Sequence, residues 1–166
     1  METIILWLFV SVMLILCFIF FWRNNKVLEK RVTKYYKNGD VKFVGYIFDG
    51  KKNGNWEYYF NIEEVNLDLK NYPFLYDNQA LITEPIIHAT GDYHDDKKIG
   101  EWVYYLFNGV IDKKVIYSNG LEHGDFISYH FTGEVESKGK YRYGKKIGEW
   151  IYNYVDGTLR TTVKYD

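Results

Sequence analysis

The chain has 166 residues and a formal net charge of −1. That length suits one modest domain plus an attachment, and the near-neutral balance gives no global bias toward nucleic acid. Aromatic residues make up 20% of the chain, more than an ordinary core needs, and the single cysteine, Cys17, excludes a disulfide framework and a thiolate metal site.

The first element runs from Ile4 to Trp22 without a charged residue and is rich in Ile, Leu, Phe and Val. It is long enough to cross the hydrocarbon core as a helix, with Trp7 and Trp22 near its ends where interfacial aromatics belong. A cleaved signal peptide is the alternative, but the segment lacks a basic leader and a small-residue cleavage site. A lipoprotein reading of Leu14-Ile-Leu-Cys17 meets a large residue, Leu16, where a small one is expected. A basic run follows, Arg23, Lys26, Lys30, Arg31, Lys34, Lys37 and Lys42, opposed only by Glu29 and Asp40. Glu2 alone precedes the apolar segment, so the positive-inside rule places everything after it in the cytoplasm. The expected organisation is a single-pass membrane anchor at 1–23, a basic juxtamembrane linker at 24–31 and a cytoplasmic repeat domain at 32–166.

The repeat domain is written in one recurring phrase. Gly45-Tyr-Ile-Phe-Asp-Gly50-Lys51-Lys52-Asn-Gly54-Asn-Trp56-Glu-Tyr58 returns 94 residues later as Gly139-Lys-Tyr141-Arg-Tyr-Gly144-Lys145-Lys146-Ile-Gly148-Glu-Trp150-Ile-Tyr152. Two further copies lie between, carrying Gly100/Trp102 and Gly124/Phe126. A period of 24 residues separates Trp102, Phe126 and Trp150, which marks a repeat architecture. The glycines fall into four register slots: Gly45/Gly91/Gly139, Gly50/Gly120/Gly144, Gly54/Gly100/Gly124/Gly148 and Gly39/Gly109/Gly133/Gly157. Val115, Asp96 and Glu63 are the exceptions in the first, second and fourth slots.

The last three slots read as turns, with Asp49-Gly50 and Asn119-Gly120 as hairpin signals. The first slot reads as a glycine inside a strand, where another backbone or ring comes close. Each period is then two short aromatic-rich strands and two turns, with half repeats opening near 32–37 and closing at 157–166. Even spacing puts Trp56/Tyr58, Trp102/Tyr104 and Trp150/Tyr152 on one face, with Phe126 in the Trp slot. Ile47, Tyr93, Tyr117, Tyr141 and Tyr165 share a slot on the alternate strands. These residues are the expected repeat core, and adjacent repeats must supply each other's buried surface. The stretch 61–89 breaks the register and holds both prolines, Pro73 and Pro85, so it reads as an inserted loop or a decayed repeat.

The block Gly-x-Tyr…Gly-Lys-Lys-x-Gly-x-Trp-x-Tyr-Tyr resembles MORN repeats, specifically the bacterial MORN-repeat-variant proteins of the YwqK antitoxin type. The resemblance covers about residues 32–60 and 90–166. It implies a mainly β fold, a single elongated antiparallel sheet of tandem hairpins used for binding or scaffolding, here behind one N-terminal transmembrane helix.

Catalytic patterns are sparse. His88, His94, His123 and His130 show no metal-ligand spacing, and each is expected to be satisfied or solvated. Asp92, Asp95 and Asp96 gather around His94, but not at the spacing of a calcium loop. The Gly-Lys-Lys-x-Gly segments lack the Gly-Lys-Ser/Thr ending of a phosphate loop. The aromatic ladders could stack single-stranded bases; as a repeat stripe they read first as core. No enzyme activity, cofactor, metal or nucleic-acid ligand is expected. Lys51/Lys52, Lys97/Lys98 and Lys145/Lys146 are expected along one sheet edge as a basic row broken by Leu121/Glu122, a candidate contact for anionic lipid or a protein partner. The functional expectation is a membrane-anchored, non-catalytic binding scaffold; the alternative is an antitoxin that neutralises a partner toxin.

Overall fold

In the computed structural model, which describes Met13, residues 29–71 and residues 84–166, ten strands form one antiparallel sheet whose spatial order is the chain order. The expected span at 4–22 lies outside the described residues except for Met13, as do Arg23, Lys26 and Pro73. Among the described residues no helix is long and apolar enough to cross a membrane. The strands are β1 (Lys30–Tyr35), β2 (Val41–Phe48), β3 (Lys51–Tyr59), β4 (Ile87–His94), β5 (Lys97–Tyr105), β6 (Ile111–Ser118), β7 (Leu121–Tyr129), β8 (Val135–Arg142), β9 (Lys145–Asn153) and β10 (Leu159–Tyr165). Among the described residues one helix, α1 (Ile62–Asn71), stands between β3 and β4.

Four tight turns line one edge. Asp49-Gly50, Asp95-Asp96, Asn119-Gly120 and Tyr143-Gly144 all have positive φ at both residues, the mirror-image turn that matches the twist of paired strands. Each later hairpin is stitched to the one before it at this edge. Asp96 N–H donates to Lys52 O at 3.0 Å, and Gly120 N–H and Gly144 N–H donate to Lys98 O and Glu122 O at 2.9 Å. The opposite edge carries wider turns, each closed by an N–H to carbonyl bond of 2.8 Å, from Tyr36 to Asp40, Leu106 to Val110, His130 to Glu134 and Tyr154 to Thr158.

The slot Gly54/Gly100/Gly124/Gly148 is not a turn. These glycines lie inside β3, β5, β7 and β9 at φ of 65°, 64°, 117° and 65°. Val44 pairs with Glu57 and Tyr46 with Asn53, so Gly54-Asn55-Trp56 together oppose Gly45 alone. That is a β-bulge, which needs a left-handed residue and bends its strand. A turn and a bulge make the same demand for glycine, and only the register separates them.

The bulge sets the core. In a single-layer sheet a large ring has no second layer to bury it, yet Trp56, Trp102 and Trp150 are each 1% exposed. Each indole lies flat on the glycine of the preceding strand: Trp56 on Gly45, Trp102 on Gly91, Trp150 on Gly139. A Cβ at any of these glycines would fall inside the ring's contact envelope. The indole N–H then reaches the carbonyl of the next residue, Tyr46, Asp92 or Lys140, at 3.1–3.2 Å. Where the tryptophan becomes Phe126, the facing glycine becomes Val115, which is buried in its place.

Among the described residues between β3 and β4, 61–71 and 84–86, none joins the sheet. β3 pairs directly with β4, Trp56 opposite Gly91 and Tyr58 opposite Ala89. Phe60 N–H donates to Ile86 O at 3.0 Å, in the place of the turn-closing bond at every other copy. Ile87 to Ala89, expected within the irregular stretch, belong to β4, and Glu63, expected at a turn slot, lies in the first turn of α1. Asn61 caps that helix by accepting from Glu63 N–H at 3.1 Å. Glu63 and Glu64 at its start and Lys70 at its end suit the helix dipole. The first strand begins at Lys30, within the expected linker.

Candidate functional site

Register and alternation arrange the Trp face of the sheet in rows across the strands. One row holds the tryptophans and their glycines. The next, toward the tight-turn edge, alternates lysine and tyrosine: Tyr93 pairs with Lys98, Tyr117 with Glu122, and Tyr141 with Lys146. The third row, on the other side, holds Phe43, Tyr58, Ala89, Tyr104, Lys113, Ser128, Ser137 and Tyr152.

Three of the four repeats build the same device. Lys52, Lys98 and Lys146 fold back over their own tryptophans, placing Nζ 4.5, 4.0 and 4.1 Å from the ring centroids of Trp56, Trp102 and Trp150. Each ammonium donates to the hydroxyl of Tyr58, Tyr104 or Tyr152, at 2.9, 2.7 and 2.9 Å. That hydroxyl shares a second bond with Tyr93, Tyr117 or Tyr165 on the next strand, at 3.1–3.3 Å. The cation meets the negative faces of the rings and its N–H groups find phenol oxygens, so its charge is satisfied without an acid. The environment is dry enough to matter. Burial, then the neighbouring Lys113 and Lys52 charges, lower the Lys98 pKa. Burial, then the shared hydroxyl bonds, push Tyr93 and Tyr104 well above the ordinary phenol value.

The six lysines expected along one edge therefore divide by face. Lys51, Lys97 and Lys145 are exposed, and Lys51 lies 3.8 Å from Asp95. Lys52, Lys98 and Lys146 are the lids of the tryptophans. The acidic group at the second tight turn is also engaged: Asp96 Oδ1 accepts from Lys52 N–H at 2.9 Å, and Asp95 N–H donates to Asn53 at 3.3 Å. Among the described residues no cluster of His, Cys, Asp or Glu could hold a metal ion. His88 meets Phe60 edge-on with ring centroids 4.8 Å apart, His130 Nε2 lies 3.1 Å from Asn153 O, and His94 is exposed. His123 departs from expectation, because its buried Nδ1 has no hydrogen-bond partner.

The third repeat breaks the device at three of its four positions and keeps only the next-strand tyrosine, Tyr141. Glu122 replaces the lysine, Phe126 the tryptophan and Ser128 the tyrosine, while Ser137 and Lys113 occupy the flanking slots. Ser128 and Ser137 are buried and share a 2.8 Å hydrogen bond, and Ser128 also donates to Glu136 at 2.9 Å.

The other face of the sheet carries a groove of about 710 Å³ with Ile116, Ile127, Ile147 and Ile151 among its walls. Lys114, Ile127, Lys138 and Ile151 are register partners in one row across it. Asp125, Lys140 and Ile147 form the neighbouring row, with Lys140 paired to Asp125 at 2.8 Å. Nothing in the repeat phrase flagged this groove, because its residues lie between the glycine and aromatic markers; alternation opposite the tryptophans was the signal available.

No family model matches this chain, and no curated protein matches its sequence.

Proposed function

We propose that this protein is a non-catalytic MORN-like repeat scaffold, held at the membrane by the apolar segment at 4–22, whose sheet face opposite the tryptophans docks a protein partner. The observation that carries this reading is the groove across β6–β9: an isoleucine-walled channel laced with charge of both signs on an otherwise single-layer sheet. Aliphatic surface supplies the driving force for association, and fixed charges supply register and selectivity. Three of the four repeats cover the Trp face with their own lysines, which leaves the groove face as the broader unfilled surface.

A protein partner fits better than an acidic bilayer. A lipid-binding edge needs free cations, and half of the tight-turn lysines are committed to the tryptophans. The test is a photo-crosslinking residue at Ile127 of the full chain, in its native cells. One discrete protein adduct is expected, lost when Ile151→Glu is added and absent when the crosslinker sits at Leu67 on α1. No adduct, or the same adduct from both sites, refutes the docking face. A toxin recovered in the adduct, and silenced by this chain, makes the scaffold an antitoxin.

A further inference from the structure

The departures of the third repeat are concerted. In the other three repeats an ammonium occupies a cage built from a tryptophan and two tyrosines. In the third, the walls persist in altered form. Phe126 stands in the tryptophan slot, Tyr141 in the slot of Tyr117, and their ring centroids are 5.5 Å apart at 76°. Tyr117 closes the other side as the register partner of Glu122. Among the described residues no cation lies over the ring of Phe126 or Tyr141, although every tryptophan of the face has one. The residue that should bring the cation is Glu122, half-buried opposite Tyr117 and close enough to Tyr141 for its charge to act on that phenol.

An aromatic wall repels an anion for the same reason that it attracts a cation. Glu122 therefore gains nothing from its setting by itself, and among the described residues its carboxylate makes no hydrogen bond or ion pair. Its charge is felt nearby, since it raises the Tyr104, Tyr117 and Tyr141 pKa values behind the larger effect of burial. Lys98, which feels that charge, and Lys113, farther along the same face, are both engaged elsewhere. Lys98 is fixed over Trp102 at 4.0 Å and bonded to Tyr104. Lys113 lies over Tyr104 at 5.0 Å and 3.9 Å from Asp112.

We propose that the third repeat holds a binding site for a primary ammonium, formed by Phe126, Tyr117, Tyr141 and Glu122, and that a lysine side chain of a protein partner fills it. The three intact repeats show the bound arrangement with the chain's own lysine; in the third, the lysine comes from outside and Glu122 neutralises it. A primary ammonium is selected over a quaternary one because only the former donates a hydrogen bond to the carboxylate. A phosphatidylethanolamine head group carries the same ammonium, but its phosphate sits two carbons away, where Glu122 repels it. Lysine keeps its charge at the end of four methylenes, the length already used by Lys98. The site rests on the internal repeats and lies on the sheet face opposite the groove; its assignment to a protein's lysine rests on the scaffold reading.

The test is titration of the full chain, in a non-ionic detergent, with lysine capped at both ends by acetyl and methylamide groups. Ring proton signals of Phe126 and Tyr141 are followed by NMR. Saturable shifts are expected, with binding at least about tenfold weaker in Glu122→Gln. They are expected to vanish in Glu122→Lys, which restores the phrase of the other repeats and fills the cage from within. Capped norleucine and capped trimethyllysine should bind at least about tenfold more weakly than capped lysine. Equal binding by either control, equal binding by Glu122→Lys, or no saturable shift overturns the site. Tighter binding of phosphoethanolamine than of capped lysine overturns the protein source. The capped amino acid reads the cage without any partner, so its failure leaves the groove reading standing. A failed crosslink at Ile127 likewise leaves the cage standing.

Discussion

Gly91→Ala tests the packing rule on which the sheet depends. The added Cβ falls on the indole of Trp102, within contact distance of three ring atoms, and that ring is 1% exposed with nowhere to retreat. Gly91 is not at positive φ, so the backbone accepts alanine and the penalty is steric. Overpacking of this kind costs about 1–3 kcal/mol. Displacing the indole also strains its 3.1 Å bond to Asp92 O, worth about 1 kcal/mol. Stiffening of the unfolded chain returns about 0.4–1 kcal/mol. The expected net loss is about 2–3 kcal/mol. The third repeat shows the remedy, since Val115 is tolerated opposite Phe126. Trp102→Phe combined with Gly91→Ala should therefore be little worse than Trp102→Phe alone, a coupling of about 2 kcal/mol in the double-mutant cycle. The assay is chemical denaturation followed by far-ultraviolet circular dichroism, which does not depend on the substituted tryptophan. Costs that add to within about 0.5 kcal/mol would refute the ring-on-glycine account.

Alkaline pH should loosen the same face. Tyr93 and Tyr104 have raised pKa values in the folded state, so their contribution is complete below the unfolded value of 10.0 and is lost as pH rises above it. Lys98, lowered, works in the opposite direction over its own window below 10.5, and one lysine does not offset two tyrosines. Denaturation midpoints that rise between about pH 9 and pH 11 would contradict this. Lys98→Met keeps the aliphatic stem over Trp102 and deletes the ammonium; the expected cost is about 1 kcal/mol, and unchanged stability would make the lid ornamental. For the segment at 4–22, a reporter active only outside the cytoplasm, fused to Asp166, should be silent, and strong activity would invert the proposed topology.

What the sequence made legible follows from how local each determinant is. Hairpin turns and the Trp slot are local, and Asp49-Gly50 or Trp56-x-Tyr58 can be read without knowing a partner strand. Gly54 is different: the demand for positive φ is local, but its meaning as a bulge depends on Val44 and Tyr46 across the ladder. The lysine pairs are expected as an outward basic row along one edge, although Lys52 and Trp56 stand four positions apart in one strand. That spacing places them on one face, and only a ring with an open side draws the ammonium back. α1 carried a signal that went unused, since Asn61-x-x-Glu64 ahead of Val65 is the pattern of a capped helix start. The groove had no marker at all, because isoleucine alternating with lysine is what any half-exposed strand looks like.

The insertion yields the last prediction. A decayed repeat would have left strands in the sheet, and its removal would cut the sheet in two. The observed pairing of β3 with β4 predicts the opposite outcome for replacing residues 61–85 by Phe-Asn-Gly, the tripeptide at 107–109. Phe60 and Ile86 already make the bond that closes such a turn, at 3.0 Å against 2.8 Å for Leu106 and Val110. Shortening the loop from 25 residues to three lowers its closure entropy by about 2 kcal/mol. Against this stand the burial of Val65, 9% exposed, at about 1.5–3 kcal/mol, and the polar ties of Asn61 to Asn38 and of Ile62 N–H to Asp40. The two sides nearly cancel, so the shortened chain should keep its strand signal and its denaturation midpoint to within about 1 kcal/mol. Loss of the strand signal, or destabilisation beyond about 3 kcal/mol, would show that α1 and its neighbours belong to the core. If the fold survives while the groove crosslink disappears, the insertion is part of the partner's footprint, and the sheet is the frame that presents it.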